Sequence, residues 1–212
     1  PNLVPFMKKH KKEISSDIVL ICDTGLFESR VPSIVTRLRG LLKEEIIITG
    51  PDKDLHSGMY GGIAVNPARI LTCILSKLHD EDGAVTIPDF YDGVPELPQN
   101  ILDQWLGLNF KHDQFLADVG LSTPAGEKDR SALEMLWSRP TCEINGIKAG
   151  YIGEGFKTVL PAQASAKISF RLVANQDPLK IRKKFRNMVK DLLPDDCQVF
   201  FKEHEASKAS QK

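Results

Sequence analysis

The chain has 212 residues, enough for one ordinary domain or for one domain joined to part of another. Its 28 Lys and Arg balance 28 Asp and Glu, so no net charge draws it to nucleic-acid phosphate or lipid headgroups. No run of about 18 uncharged apolar residues offers a membrane span, and 42% hydrophobic with 26% charged residues suits a folded, wettable domain.

The opening Pro1-Asn2-Leu3-Val4-Pro5-Phe6-Met7-Lys8-Lys9-His10 lacks signal-peptide order, because its charges follow the apolar residues. The missing initiator Met is read as a sign that the chain was cut from something longer, and the expected compartment is the cytoplasm. Cys22, Cys73, Cys142 and Cys197 are widely spaced and form no C-x-x-C pair. They are expected to be reduced thiols in the core or half-buried.

In chain order, Asn2 to Ser16 predicts a short helix. Ile18–Cys22 is an apolar run that stops at Asp23-Thr24-Gly25, the pattern of a strand buried on both faces. Ser33 to Leu38 suggests another short strand, with a seam at Arg39-Gly40. Glu45–Thr49 is a strand ended by Gly50-Pro51. Asn66-Pro67 opens a helix with a capping residue and Pro at the first helical position, and Ile70, Leu71, Ile74, Leu75 and Leu78 follow at helical spacing. Asp82-Gly83 then turns the chain into a second strand, Ala84–Pro88. Residues 89–139 carry Pro95, Pro98, Pro124 and both tryptophans, with helical signals at Ile101–Leu106, Asp113–Val119 and Ser131–Trp137; they read as an insertion. Thr141–Ile147 is strand-like with a turn at Asn145-Gly146. Ala164–Val173 alternates, with Ala166, Ile168, Phe170 and Leu172 on one side and Lys167, Ser169 and Arg171 on the other. Asp177-Pro178 caps a last helix to about Leu193, and Cys197–Lys202 closes the sheet. The predicted architecture is α+β, a ferredoxin-like β-α-β-β-α-β unit over 44–204 with an antiparallel sheet and two helices on one face. Residues 1–43 read as a fragment of an α/β domain, and 205–212 as a frayed tail.

The densest cluster of unusual residues is Asp52-Lys53-Asp54-Leu55-His56-Ser57-Gly58-Met59-Tyr60-Gly61-Gly62, a glycine-rich loop with a single His. Such a loop lets an imidazole donate to a developing oxyanion; the plainer reading is tight turns and a surface His. Asp23, just past a buried strand, is either a hard-metal ligand or a turn-starting Asp. Arg171 either grips a carboxylate through its guanidinium fork or is a solvated strand residue. Gly153-Glu154-Gly155-Phe156-Lys157-Thr158 lacks the order of a phosphate-binding loop. His10, His79, His112 and His204 sit among polar neighbours and read as solvated.

Together these segments resemble a family. Asp54-Leu55-His56-Ser57-Gly58 with Tyr60-Gly61-Gly62 is similar to the lid signature of the dinuclear zinc exopeptidases related to carnosinase, cytosolic dipeptidase and aminoacylase. The likeness continues through Asp23-Thr24-Gly25, Leu38-Arg39-Gly40, Asn66-Pro67, Gly150–Gly155, Lys157–Pro161 and Ala166–Val173, roughly residues 15 to 204. It implies a catalytic domain holding two Zn²⁺ ions, with Mn²⁺ as an alternative, and a lid that forms a homodimer. Under the resemblance Asp23 is a ligand to one zinc. His56 is the lid His that crosses to the partner's site and steadies the oxyanion, Arg171 holds the terminal carboxylate, and Thr158 is a nearby substrate contact. Substrates would be dipeptides or short peptides.

The family's His-x-Asp motif, its acidic pair with the general base, its bridging Asp and its late His have no match here. A catalytic zinc needs about three protein ligands, and Asp23 supplies one. The expectation is therefore a lid with an adjoining catalytic segment (1–43), inactive alone and holding no firm metal. The alternatives are an N-acyl amino acid deacylase of the same family and a non-catalytic dimerisation module.

Overall fold

The computed structural model describes residues 2–19, 27, 31 and 33–211. The chain divides into two compact units, Pro1–Thr36 and Arg37–Lys212. The first holds α1 (Leu3–Lys9), which buries none of its residues. Of the strand expected over Ile18–Cys22, Ile18 and Val19 are exposed and not extended into a ladder, while residues 20–22 and Asp23 lie outside the described residues.

The second unit runs β1 (Arg37–Leu38), β2 (Gly40–Thr49), β3 (Leu55–His56), α2 (Ser57–Tyr60), α3 (Pro67–Leu75), α4 (Gln99–Gly107), α5 (His112–Ala117), α6 (Ala132–Trp137), β4 (Thr141–Ala149), β5 (Val159–Leu160), β6 (Gln163–Leu172), α7 (Pro178–Asp191), β7 (Gln198–Ser207) and β8 (Ser210–Gln211). Four strands form an antiparallel sheet in the order β4-β6-β2-β7. With α3 and α7 they make the expected β-α-β-β-α-β unit. Period-two alternation fixes its faces: Leu42, Ile46 and Ile48 of β2 and Ala164, Ala166, Ile168, Phe170 and Leu172 of β6 are all buried. Against them pack Leu71, Ile74 and Leu75 of α3 and Ile181, Phe185 and Val189 of α7 in one core. Asn66 caps α3 through Ala68 N–H (3.0 Å) and Asp177 caps α7 through Leu179 N–H (2.9 Å), each before a proline, as the sequence suggests.

Four local expectations change. Ala84–Pro88 is not the second strand: it makes one bridge, His79 to Val85, because Thr86 N–H turns back onto Leu78 O at the end of α3. The second strand of the unit is β4. Within it Asn145-Gly146 makes a bulge against β6, not a turn. Cys73 is exposed, whereas Cys142 and Cys197 are buried as expected; burial pushes the Cys142 thiol up to about 12. Finally, β7 extends to Ser207, and β8 returns to pair with β1. Gly40 makes this return possible, since a Cβ there would lie 2.6 Å from Ser207 O and 2.7 Å from Ala209 N.

One charged group sits in the core row of β2. The Glu44 side chain is fully buried, with Arg186 Nε 2.8 Å from Oε2 and Arg182 Nε 2.6 Å from Oε1 at a poor hydrogen-bond angle. Arg182 also donates to His204 O (2.9 Å) and Arg186 reaches Glu203 (3.0 Å), so the cluster ties α7 to two strands. Burial works against the Arg186 charge, but Glu44 and Glu203 outweigh it and hold its pKa above the usual guanidinium value. The three inserted helices bury little of their own; Trp105 meets Trp137 edge-on at 5.1 Å, and Arg130 binds Glu96 through both ends of its fork at 2.6 Å.

Candidate functional site

Beyond Thr49 the chain leaves the sheet and is stitched to the segment that enters β6. Gly50 N–H donates to Ala162 O (3.0 Å), Ala162 N–H donates to the Asp54 carboxylate (2.8 Å), and Ser57 N–H donates to Thr158 O (2.9 Å). Between these bonds β3 pairs with β5, Leu55 opposite Leu160 and His56 opposite Val159. His56 and Thr158 are thereby held side by side, both exposed, at one end of the sheet.

The His56 ring caps the single turn of α2, its Nδ1 accepting from Gly58 N–H at 2.9 Å. A nitrogen that accepts carries no proton, so in this pose the ring's donor is Nε2. The exposed Nε2–H is then a donor aimed away from the backbone. Gly58 permits this pose: a Cβ would stand 2.8 Å from the ring Cε1 and 3.0 Å from Nδ1. Gly61 closes the turn, since a Cβ there would meet Ser57 O at 2.4 Å. The opposing loop is tied by Tyr151, whose hydroxyl donates to Glu154 O at 2.7 Å, with Lys157 Nζ 4.5 Å above its ring. Around this pair of loops Met59, Ile63, Ile152 and Phe156 present large apolar side chains to solvent, Phe156 at 89% exposure.

Arg171 stands elsewhere. It lies on the open face of β6, opposite Leu41 and Thr141. Asp54, bonded to Ala162, keeps His56 near the start of β6, whereas Arg171 is nine residues past Ala162, roughly 30 Å along an extended strand. One copy of the chain therefore groups His56 with Thr158 and places Arg171 at the opposite end of the sheet. Asp23, the predicted metal ligand, lies outside the described residues. Among the described residues no three His, Cys, Asp or Glu side chains converge as a metal site.

Sequence reasoning placed Asp54 and Gly58 in the loop and its signature without giving either a role of its own; Asp54 ties the loop to Ala162 and Gly58 N–H holds the His56 ring. The signal was the spacing: an Asp two residues before the His and a Gly two residues after it.

The pattern of the peptidase dimerisation domain of the M20 family matches residues 36–197. The chain belongs to this family. It is 32% identical over 162 residues to the Cys-Gly metallodipeptidase dug1 of Schizosaccharomyces pombe, covering 76% of this chain and 34% of that protein. Its fold is similar to human carnosine dipeptidase 1, with a TM-score of 0.83 at 22% identity, covering 98% of this chain and 45% of that one. It is also similar to the M20 metallo-carboxypeptidase Sso-CP2 of Sulfolobus solfataricus, with a TM-score of 0.76 at 31% identity over 93% of this chain and 52% of that one. The chain thus spans about a third of the length of the curated dipeptidases it matches. No described helix is long and apolar enough to cross a membrane.

Proposed function

We propose that this chain is the lid and dimerisation part of a metal-dependent dipeptidase that acts as a homodimer in the cytoplasm. The observation that carries the reading is the His56 pose, Nδ1 held by Gly58 N–H so that Nε2 is left to donate, beside Thr158. Hydrolysis of a peptide bond builds negative charge on the carbonyl oxygen, and a fixed donor there lowers the barrier without reorganising. Arg171 serves the other end of the substrate, its fork matching the terminal carboxylate. Because one copy sets these residues at opposite ends of β6, a dipeptide meets His56 and Thr158 from one subunit and Arg171 from the other.

The sheet edges favour such a dimer. β7 is guarded by Lys202, Glu203, His204 and Glu205, whereas β4 exposes Ile144 and Ile147 beside a bulge. Charged edges resist pairing and apolar edges invite it. A metal centre does not fit the described residues of this chain alone; Asp23 is the one ligand the sequence offers, and the two zinc ions need donors from the rest of the protein.

The test is kinetic. Full-length protein should hydrolyse dipeptides at least about tenfold better in kcat/KM than N-acyl amino acids, a preference of about 1.4 kcal/mol, and should lose activity to a chelator. The purified 212-residue chain should show none. The reverse substrate preference would favour the deacylase alternative, and full-length protein inert toward both would favour the dimerisation module.

A second expectation concerns Gly58. Gly58→Ala in the full-length protein should push the His56 ring off its cap and lower kcat about 10–100-fold, since ångström-scale misplacement is enough for that. Thermal unfolding should barely move, because the crowded atoms belong to an exposed ring. A large drop in melting temperature with retained turnover would show that Gly58 serves the fold instead.

A further inference from the structure

We propose that Arg39 is a second guanidinium for the substrate's terminal carboxylate, acting beside Arg171. The proposal rests on the dipeptidase reading for the substrate's identity, but its geometry stands by itself. Leu41 pairs with Arg171, so their side chains share the open face of the sheet. Carrying the alternation two residues back from Leu41, one residue beyond the start of β2, puts Arg39 on that same face as the diagonal neighbour of Arg171. The two cations feel one another: partial desolvation and the Arg171 charge both push the Arg39 pKa down.

Two like charges side by side are unfavourable unless an anion relieves them. Among the described residues no acid does so. Glu205 is engaged by Lys43 at 3.3 Å, and Glu45 by His204 at 3.4 Å and Lys202 at 3.8 Å. The arginines of the insertion and of α7 are, by contrast, all ion-paired. Among the described residues, Arg39 and Arg171 are thus two neighbouring cations with no acid ion-paired to either.

The fold also fixes Arg39 in place. On one side Leu38 N–H donates to Ser210 Oγ at 3.1 Å within the β1–β8 pairing. On the other, Gly40 lies so close to the backbone of residues 207–209 that no side chain fits. A backbone held at both flanks fixes the point from which the Arg39 side chain reaches toward a ligand, and this lowers the ordering cost of binding.

The experiment uses the full-length protein with Arg39→Ala and Arg39→Lys. For a dipeptide with a free carboxylate, Arg39→Ala should raise KM about tenfold or more, the range for a lost hydrogen bond to a charged group. Its kcat should change far less. The same dipeptide as a C-terminal amide should be processed as in the wild type, and Arg39→Lys should recover part of the loss. Equal losses on acid and amide, or an unchanged KM, would overturn the proposal. Inactivity of the wild type on dipeptides would count against the dipeptidase reading instead. Arg39 would then be judged by thermal stabilisation with N-acetylglycine and its N-methylamide. Stabilisation by the acid alone, lost in Arg39→Ala but kept in Lys43→Ala, supports the site. Stabilisation that survives in Arg39→Ala, or none in the wild type, defeats it.

Discussion

His56→Ala in the full-length protein is expected to lower kcat about 10²–10³-fold, the cost of removing one oxyanion donor, while KM and thermal unfolding stay near wild type. The side chain is exposed and bonds only the backbone of its own turn, so little stability rides on it. On the proposed reading Arg171→Ala should instead raise KM, because it would remove a ground-state contact to the carboxylate. The two variants together test where the residues act. When co-expressed, random pairing yields about half mixed dimers, and one of the two sites in each holds an intact His56 and an intact Arg171. Measured as kcat/KM, activity should therefore recover to about a quarter of wild type if His56 acts across the interface. If His56 and Arg171 served the same subunit's site, every site in a mixed dimer would carry one lesion and no recovery would occur. The separation of the two residues along β6 favours recovery.

Much of this arrangement was legible in the sequence because the relevant signals are local. The alternation in Ala164–Val173 and the Asn66-Pro67 and Asp177-Pro178 caps each specify an element by themselves. The glycine-rich loop around His56 pointed to close backbone approach, and Gly58 supplies it. What was not legible depends on partners distant in sequence. Ala84–Pro88 has the composition of a strand, yet the place beside β6 is taken by β4, more than fifty residues later. The polar tail looked unable to order itself, but it gains ladder partners on both sides of the Arg39-Gly40 seam, Leu41 and Leu42 for the end of β7 and Arg37 and Leu38 for β8. Nor could spacing reveal that Arg39 comes near Arg171, since it is the β2–β6 pairing, which sets Leu41 opposite Arg171, that brings the two stretches of chain together. The Asp23 reading has no counterpart among the described residues and remains a prediction from resemblance.

Glu44→Ala is expected to be the most destabilising single change in the domain. The Glu44 carboxylate is wholly buried and is bound by Arg182 and Arg186, themselves largely covered. Removing one partner of a buried ion pair leaves uncompensated charge and costs about 3–5 kcal/mol, which for a domain of this size lowers the melting temperature by roughly 10 °C. Glu203 offers the stranded arginines only a more exposed partner, since its side chain keeps 60% of its surface in water. The loss should be of pairing and not of packing. Replacing Glu44 with Leu together with both Arg182 and Arg186 with Met fills similar volume without buried charge, and should restore most of the lost stability. Lys43→Ala, which removes an exposed ion pair with Glu205, should by contrast shift stability by less than about 1 kcal/mol. Equilibrium unfolding of the three variants distinguishes the cases. A Glu44→Ala cost no larger than that of Lys43→Ala would mean that the core tolerates the two arginines unpaired. That outcome would require water to reach them between α7 and β2.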